Sequence, residues 1–357
     1  NHKMAHEFAL REINGAGGIE CLGGAKLEIV YGDSQGTPEK GNAETERLIN
    51  KEGVVAMIGA FDSGTTLAAT EVAERYKTPF IVSTGVATQI TERGLKYTFK
   101  TSASIALFAS ETAKFVKEMG VTNGVILAPN YAFGQLFSTA WSEVFTELGL
   151  QELDNISFAA GGSDYTDVIL NIKAKDPEVI FFLADTSDAI LILRQMQELG
   201  YYPKQGIVTG GGGLADPAFV QGAGAEAVEG ILMIANWWPE LNLPGSKEIN
   251  AAFEKEYGIN MAGDINSTYF STWLVAEALE RACSTEREAL ANVLRTTKFE
   301  EGPWNMNVPY IQFDEKGMNI TNPYIIAQYQ DGKAIPVWPA EYAVGEVVWP
   351  VPGWGER

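Results

Sequence analysis

The run Val54-Val55-Ala56-Met57-Ile58-Gly59 passes directly into Ala60-Phe61-Asp62-Ser63-Gly64-Thr65-Thr66 and then into a helix-period stretch at 65–76. Six consecutive apolar residues of this kind read as a strand buried on both faces, the mark of a parallel sheet covered by helices. The polar, glycine-containing loop behind it then sits at the carboxyl end of that strand, where open α/β sheets bind their ligands. Similar strands are expected at 27–31, 80–83, 125–128, 179–183 and 207–209, with helices at 38–51, 105–119, 133–148 and 187–199 between them. Gly120 and Gly200 close two of these helices. The β-α-β-α alternation predicts an α/β protein with parallel sheets and helices on both faces.

After Trp238 the pattern changes to helical segments at 247–257, 267–283 and 287–297, followed by strand-like runs at 310–313 and 324–329. No long linker or low-complexity tract interrupts the 357 residues, about two domains' worth at ~150 residues each. Two lobes joined by several short crossovers fit that arrangement.

Composition narrows the function. Lys and Arg number 26 against 46 Asp and Glu, and a net charge of −20 repels phosphate backbones and anionic lipid, so no nucleic acid and no membrane surface is expected as partner. The two histidines, His2 and His6, both lie at the N-terminus, which weighs against general-base chemistry and imidazole metal sites. Around Ser63 the first glycine of a nucleophile elbow is missing, and no glutamate follows His2 as a zinc-protease motif requires. Cys21 and Cys283 are too few for a metal cluster and are either one bridge or two buried thiols. No run approaches the ~20 apolar residues of a membrane span, and no basic-then-apolar leader opens the chain, so an export signal is expected to have been removed already.

Several motifs in order resemble the branched-chain amino-acid type of periplasmic solute-binding protein. They are Glu12-Ile13-Asn14-Gly15-Ala16-Gly17-Gly18-Ile19, Ile58-Gly59 with Ser63-Gly64, Tyr97-Thr98-Phe99-Lys100-Thr101, Asp176-Pro177-Glu178-Val179-Ile180, Leu193-Arg194-Gln195, and Ile311-Gln312-Phe313-Asp314-Glu315-Lys316-Gly317. The resemblance runs over essentially the whole chain. It implies two doubly wound α/β lobes joined by a three-segment hinge, with the ligand in the cleft between them. Lobe 1 would comprise 1–104 and 239–322, lobe 2 would comprise 105–238 and 323–357, and the crossings would fall near Ser104, Trp238 and Pro323. Members of that family begin with a strand and a loop before their first helix, whereas this chain starts at or inside that helix, at 1–12. The first strand of lobe 1 is therefore expected to be missing.

The same resemblance assigns roles. Ser63 sits where a helix N-cap belongs, and the free amides behind it form an anion site; in the family this position holds the ligand carboxylate. Thr84, with the amides of Gly85 and Val86, matches a second carboxylate-binding turn. Phe61 is expected as an apolar wall. In lobe 2, Phe133 takes a slot usually held by tyrosine, and Tyr131 is the compensating hydroxyl. Asp185 is either the partner of a ligand ammonium or the N-cap of the helix behind it. Gly211, in the run Gly210-Gly211-Gly212-Gly213, falls where amino-acid binders carry an acid, so either Asp185 replaces that acid or the ligand is a plain carboxylate; the run also reads as a tight turn needing positive φ. Trp237 and Tyr269 lie near expected crossings and are candidates for stacking on the ligand or for core packing. The resemblance also puts Cys21 and Cys283 in one lobe, where a disulfide is geometrically feasible and an exported location permits it.

The expected function is capture of an amino acid or related small carboxylate and its delivery to the membrane permease of an ABC importer, without catalysis or cofactor. The protein is expected to be a monomer in the periplasm or lipid-anchored at the outer face of the cell membrane. An amide or urea sensor of the same fold is the alternative within the binding class, and a hydrolase or dehydrogenase the alternative outside it.

Overall fold

The computed structural model describes residues 1–215, 217–241, 243–261, 263–321 and 324–355. In chain order the elements begin with α1 (His2–Gly15), α2 (Pro38–Asn50), β1 (Met57–Gly59), α3 (Ser63–Arg75), β2 (Phe80–Val82), α4 (Gln89–Glu92) and β3 (Thr98–Lys100). There follow α5 (Ile105–Glu118), β4 (Asn123–Pro129), α6 (Ala132–Leu148), β5 (Gln151–Phe158), α7 (Thr166–Lys175), β6 (Val179–Phe182), α8 (Thr186–Glu198) and β7 (Gly206–Thr209). The last are α9 (Pro217–Ala223), α10 (Ala225–Val228), β8 (Leu232–Ala235), α11 (Ser246–Tyr257), α12 (Gly263–Ala282), α13 (Arg287–Thr296), β9 (Ile325–Gln330) and β10 (Lys333–Trp338).

The chain divides into two compact units. Unit 1 is Asn1–Ser104, Asn236–Pro239 and Leu243–Pro323; unit 2 is Ile105–Ala235, Glu240–Asn242 and Tyr324–Arg357. The expected crossing at Pro323 lies outside the described residues.

Unit 1 is built on the parallel sheet β1-β2-β3. Phe80, Ile81 and Val82 of β2 are buried on both faces, as a central parallel strand with helices above and below must be. Helix α12 is the long internal helix of this unit, and α1 packs along it: Phe8 lies against Tyr269, with ring centroids 5.7 Å apart. Cys21 and Cys283 are joined in a disulfide with Cα atoms 5.4 Å apart, fastening the turn after α1 to the end of α12.

Two expected strands of unit 1 are not formed. Residues 27–31 run extended but pair with nothing. The side chain of Asn14 takes both the amide (2.8 Å) and the carbonyl (2.9 Å) of Leu27, and Arg47 donates to the Tyr31 carbonyl. Among the described residues no hydrogen bond reaches the backbone of Glu28, Ile29 or Val30. The physical reason is the lack of a neighbouring edge: a cavity of about 610 Å³, lined by both segments, separates 27–31 from 54–59. The run at 310–313 likewise makes only isolated bridges, Ile311 to Phe299 and Phe313 to Asn319.

Unit 2 carries a seven-stranded sheet in the order β10-β9-β8-β7-β6-β4-β5. Strands β4 to β8 are parallel, and β9 and β10 add an antiparallel margin. Trp141, Phe145 and Phe181 meet edge to face at 4.8–5.4 Å between α6 and β6. Each such buried aromatic contributes roughly 1.5–3 kcal/mol from area removed from water. This cluster anchors α6, and therefore the loop before it that carries Tyr131.

Candidate functional site

At the carboxyl end of the β1–β3 sheet two loops meet, 60–62 after β1 and 83–88 after β2. The N-cap of α3 is Asp62, not Ser63: its carboxylate accepts the Thr65 amide at 2.7 Å. Aspartate and serine cap equally well, so the sequence signal for a cap was sound but one residue out. The shift matters chemically, because it frees Ser63 from capping. Ser63 instead accepts the amide of Ala87 on its Oγ at 3.1 Å, which clips the two loops together. Its own hydroxyl proton stays available to a ligand.

Thr84 is committed differently. Its hydroxyl donates to the Ala60 carbonyl at 2.9 Å, so its oxygen is left with lone pairs and no proton to offer a carboxylate. The expectation of a Thr84 hydroxyl on the carboxylate is corrected to that extent; what Thr84 offers an anion is its backbone N–H. Among the described residues the amides of Ser63, Gly64, Thr84, Gly85 and Val86 have no protein acceptor. The first two are the free donors of the α3 N-terminus, where the helix dipole favours negative charge. Phe61, 68% exposed, stands on the same loop as an open apolar surface.

Three residues that sequence inspection did not single out hold the two loops from behind, Thr66 the first loop and Ser102 and Lys100 the second. Thr66 donates to the carbonyls of Ala60 (3.1 Å) and Asp62 (2.8 Å). Ser102 donates to the Gly85 carbonyl at 3.0 Å. Lys100, fully buried at the end of β3, donates from Nζ to the Val86 carbonyl at 3.2 Å, and burial lowers its pKa to about 7. With the carbonyls of Gly85 and Val86 engaged on the protein side, the loop's conformation is set independently of any ligand. Only the position of Lys100 within the otherwise apolar and hydroxyl-bearing β3 run hinted at this, and lysine is usually a surface residue.

In unit 2, the expected residues divide. Asp185 occupies the N-cap position of α8, but its side chain makes no capping bond. It accepts the Tyr131 hydroxyl at 2.9 Å and is exposed, so Tyr131 and Asp185 do come together. Burial, then the hydrogen bond to Asp185, holds the Tyr131 phenol protonated far above its ordinary range. Behind them Asp188, buried, accepts from the Tyr165 hydroxyl (2.8 Å) and the Gly161 amide. Phe133 is half-buried and packs its ring on Phe137, centroids 5.2 Å apart.

Of the two roles open to each of Trp237, Tyr269 and Gly211, the structure shows core packing for the aromatics and a turn for the glycine. Trp237 is fully buried, its indole N–H bonded to the Met306 carbonyl at 2.8 Å. Tyr269, 2% exposed, bonds Glu12 through its hydroxyl at 2.6 Å. Both aromatics have a satisfied polar end and an apolar body in the core of unit 1, which leaves no face to stack on a solute. Gly211 is buried with φ +90°, and the Thr209 hydroxyl takes its amide (3.2 Å), so it serves the turn.

Among the described residues no group of three metal-ligating side chains occurs, and no helix is long and apolar enough to cross a membrane.

Comparison with known proteins bears on this arrangement. The family profile described as "Periplasmic binding protein" matches residues 3–334. Leu/Ile/Val-binding protein homolog 7 of Brucella suis is 26% identical over 354 residues, covering 96% of this chain and 87% of that protein. Among solved structures, the leucine-binding protein LivK of Thermotoga maritima aligns with a TM-score of 0.80 at 24% identity, over 94% of this chain and 92% of its own. LivJ of Streptococcus pneumoniae, in complex with isoleucine, gives 0.80 at 23%, over 98% and 94%. A solute-binding protein of Rhodopseudomonas palustris, in complex with 3,4-dihydroxybenzoic acid, gives 0.80 at 21%, over 100% and 94%. The structures share the fold with this chain, and the profile spans most of its length. The chain belongs to the periplasmic binding protein family and resembles its branched-chain amino-acid type.

Proposed function

We propose that this protein is an extracytoplasmic receptor that captures an amino acid or related small carboxylate and delivers it to the permease of an ABC importer. The observation that carries this reading is the Ser63–Ala87 bond, which gathers five acceptor-free amides and one free hydroxyl proton at one end of a sheet. A carboxylate is the small group that uses such a donor set: it accepts several bonds at once and gains from the helix dipole. Each hydrogen bond to a charged group is worth roughly 1.5–3 kcal/mol net. Three or four of them reach the ~8 kcal/mol of a micromolar complex. Asp185, oriented by Tyr131, is the partner for a ligand ammonium, and Phe61 the apolar wall. Binding is the whole activity, so no bond of the ligand is made or broken. The location is the periplasm or the outer face of the cell membrane.

The test is calorimetry of the whole chain against leucine, isoleucine, 3,4-dihydroxybenzoate and leucinamide. The reading expects saturable binding of at least one carboxylate and none of leucinamide. Failure of every carboxylate to bind, or capture of leucinamide as tightly as leucine, would overturn it. Ligand recovered unchanged after long incubation is the expected result for a receptor; a new product would reveal an enzyme.

A further inference from the structure

We propose that Lys100 is a positioning residue for anionic ligands: through the Val86–Ala87 peptide and Ser63 it relays its charge to the bound carboxylate, so that capture of the anion is coupled to a proton on a fully buried lysine. This coupling rests on the carboxylate-binding reading of the two loops and adds to it the charge of Lys100, where bracing the loop uses only its hydrogen bond.

Two of the site's hydrogen bonds belong to one peptide unit. Its carbonyl, that of Val86, accepts from Lys100 Nζ at 3.2 Å, and its N–H, that of Ala87, donates to Ser63 Oγ at 3.1 Å. A donor on the oxygen of an amide draws electron density through the conjugated C–N bond and makes the N–H a stronger donor. Ser63 Oγ, accepting that stronger bond, becomes in turn a better donor of the one proton it has left for a ligand. The order is Lys100, Val86–Ala87, Ser63, anion, with each group donating to the next. Ser102 repeats the pattern one peptide earlier: its hydroxyl donates to the Gly85 carbonyl at 3.0 Å, and the N–H of that peptide is the Val86 amide, which has no protein acceptor among the described residues. Ser102 is neutral, whereas Lys100 is an ammonium, whose hydrogen bonds are roughly twice as strong.

The lysine is fixed in place and no carboxylate answers it. Its backbone amide donates to the Gly317 carbonyl (2.7 Å) and its carbonyl accepts the Asn319 amide (2.9 Å). Among the described residues the Val86 carbonyl is the one hydrogen-bond partner of Nζ. Neither β2 nor the loop 83–88 carries a charged side chain. On the first loop Asp62 caps α3. The charged groups of α3 and α4 are engaged elsewhere: Glu71 with Arg93, Glu74 with the Tyr97 amide, Arg75 with Glu46 and Glu92 with Lys316. Beyond β3, Asp314 accepts the amides of Lys316 and Met318, and Glu315 and Lys96 are exposed. Helix α12 meets this region through Ser271, whose hydroxyl lies 3.0 Å from that of Thr101; its ionisable groups are Asp264 in the first turn and Glu277, Glu280 and Arg281 towards the other end. Burial alone therefore sets the lysine's proton affinity, and its pKa falls to about 7. Below that pH the relay carries a charge and above it the relay is neutral. A ligand carboxylate stays ionised throughout, so its affinity falls as pH rises through 7, and by linkage its binding raises the Lys100 pKa and takes up a proton. His2 and His6, lowered to about 4, and Asp264, raised to about 6, titrate below this range.

The test uses the whole chain, first without ligand. In protein labelled with 13C and 15N, the Val86 carbonyl and Ala87 amide signals are expected to titrate together with a midpoint near pH 7, the Ala87 proton moving upfield as pH rises. In Lys100→Gln, which keeps a donor and has no charge, both signals should stay flat. Calorimetry with leucine and with 3,4-dihydroxybenzoate follows. The Kd is expected to be about 5-fold weaker at pH 8.5 than at pH 6.5, with uptake of on the order of half a proton per ligand near pH 7.5, read from the dependence of the binding enthalpy on the buffer. Lys100→Gln should hold the weaker Kd at every pH; should that variant not fold, the wild-type pH profile and proton uptake decide. A flat Ala87 signal in the wild-type protein overturns the relay whether or not a carboxylate binds. Saturable binding of either carboxylate with one Kd at both pH values and no proton uptake overturns the proposal and leaves the receptor reading standing. No binding of either carboxylate at any pH, with the Ala87 titration present, overturns the receptor reading and takes the ligand step of the relay with it.

Discussion

The amide of Ala87 donates to the hydroxyl oxygen of Ser63 at 3.1 Å, joining positions 24 residues apart in the chain and two loops at the carboxyl end of one sheet. The bond does two things at once. It satisfies a buried amide, and it turns the serine proton outward from the protein's own hydrogen bonding. Ser63→Ala removes both. The expected outcome is a loss of carboxylate affinity of about 10- to 100-fold, with a stability cost of about 1–3 kcal/mol for the orphaned amide. Calorimetry and urea unfolding read the two separately.

Gly85 is required by close approach rather than by φ. A Cβ there would stand 2.7 Å from Thr66 Oγ1 and 3.0 Å from Ile90 Cδ1. Gly85→Ala is therefore expected to push the loop off its brace, at a cost of about 1–3 kcal/mol from overpacking. Affinity should fall by more than the stability loss alone would suggest, because the displaced amides are those offered to the ligand. Unchanged affinity in a folded Gly85→Ala protein would remove the 83–88 loop from the site.

Lys100 makes stability depend on pH in an unusual direction. Burial lowers its pKa from 10.5 to about 7. Below pH 7 the lysine is charged in both states and folding carries the full desolvation cost. Between pH 7 and 10.5 the unfolded chain binds more protons than the folded one, so this residue's contribution rises with pH, by at most about 1.4 kcal/mol per pH unit. Lys100→Met is expected to abolish that rise, as measured by urea unfolding at pH 7, 8 and 9. It should also weaken the ligand, since the Val86 carbonyl loses its donor.

Asp185→Asn separates ligand classes. Removing the carboxylate is expected to cost an amino-acid ligand about 10-fold or more in Kd while leaving a plain carboxylate such as 3,4-dihydroxybenzoate unchanged. Tyr131→Phe should give a smaller loss of the same selectivity, because Asp185 keeps its charge and loses its positioning bond. Equal losses for both ligand classes would deny Asp185 the ammonium.

Strands buried on both faces were the most legible part of the sequence, since apolar runs such as Val179 to Phe182 admit little else. The stretch at 27–31, Leu-Glu-Ile-Val-Tyr, is β-branched enough to read as a strand but has no partner edge, and strand pairing is a tertiary fact that composition does not carry. Ser63 and Asp62 are both good caps, so only coordinates distinguish them. Trp237 and Tyr269 look like any aromatic near a crossing; what assigns them to the core is the Met306 carbonyl and the Glu12 carboxylate that receive their polar ends. Tyr131 and Asp185 stood as separate candidates, and their bond spans 54 residues of sequence. Lys100 gave only the hint of a lysine in an otherwise apolar and hydroxyl-bearing run, because its role depends on a carbonyl in another loop.

Amide chemical shifts offer the most direct check on the anion grip. With the whole chain labelled with 15N and titrated with leucine or 3,4-dihydroxybenzoate, the N–H signals of Ser63, Gly64, Thr84, Gly85 and Val86 should move downfield together at the Kd found by calorimetry. Saturated binding that leaves those five signals in place would contradict the account.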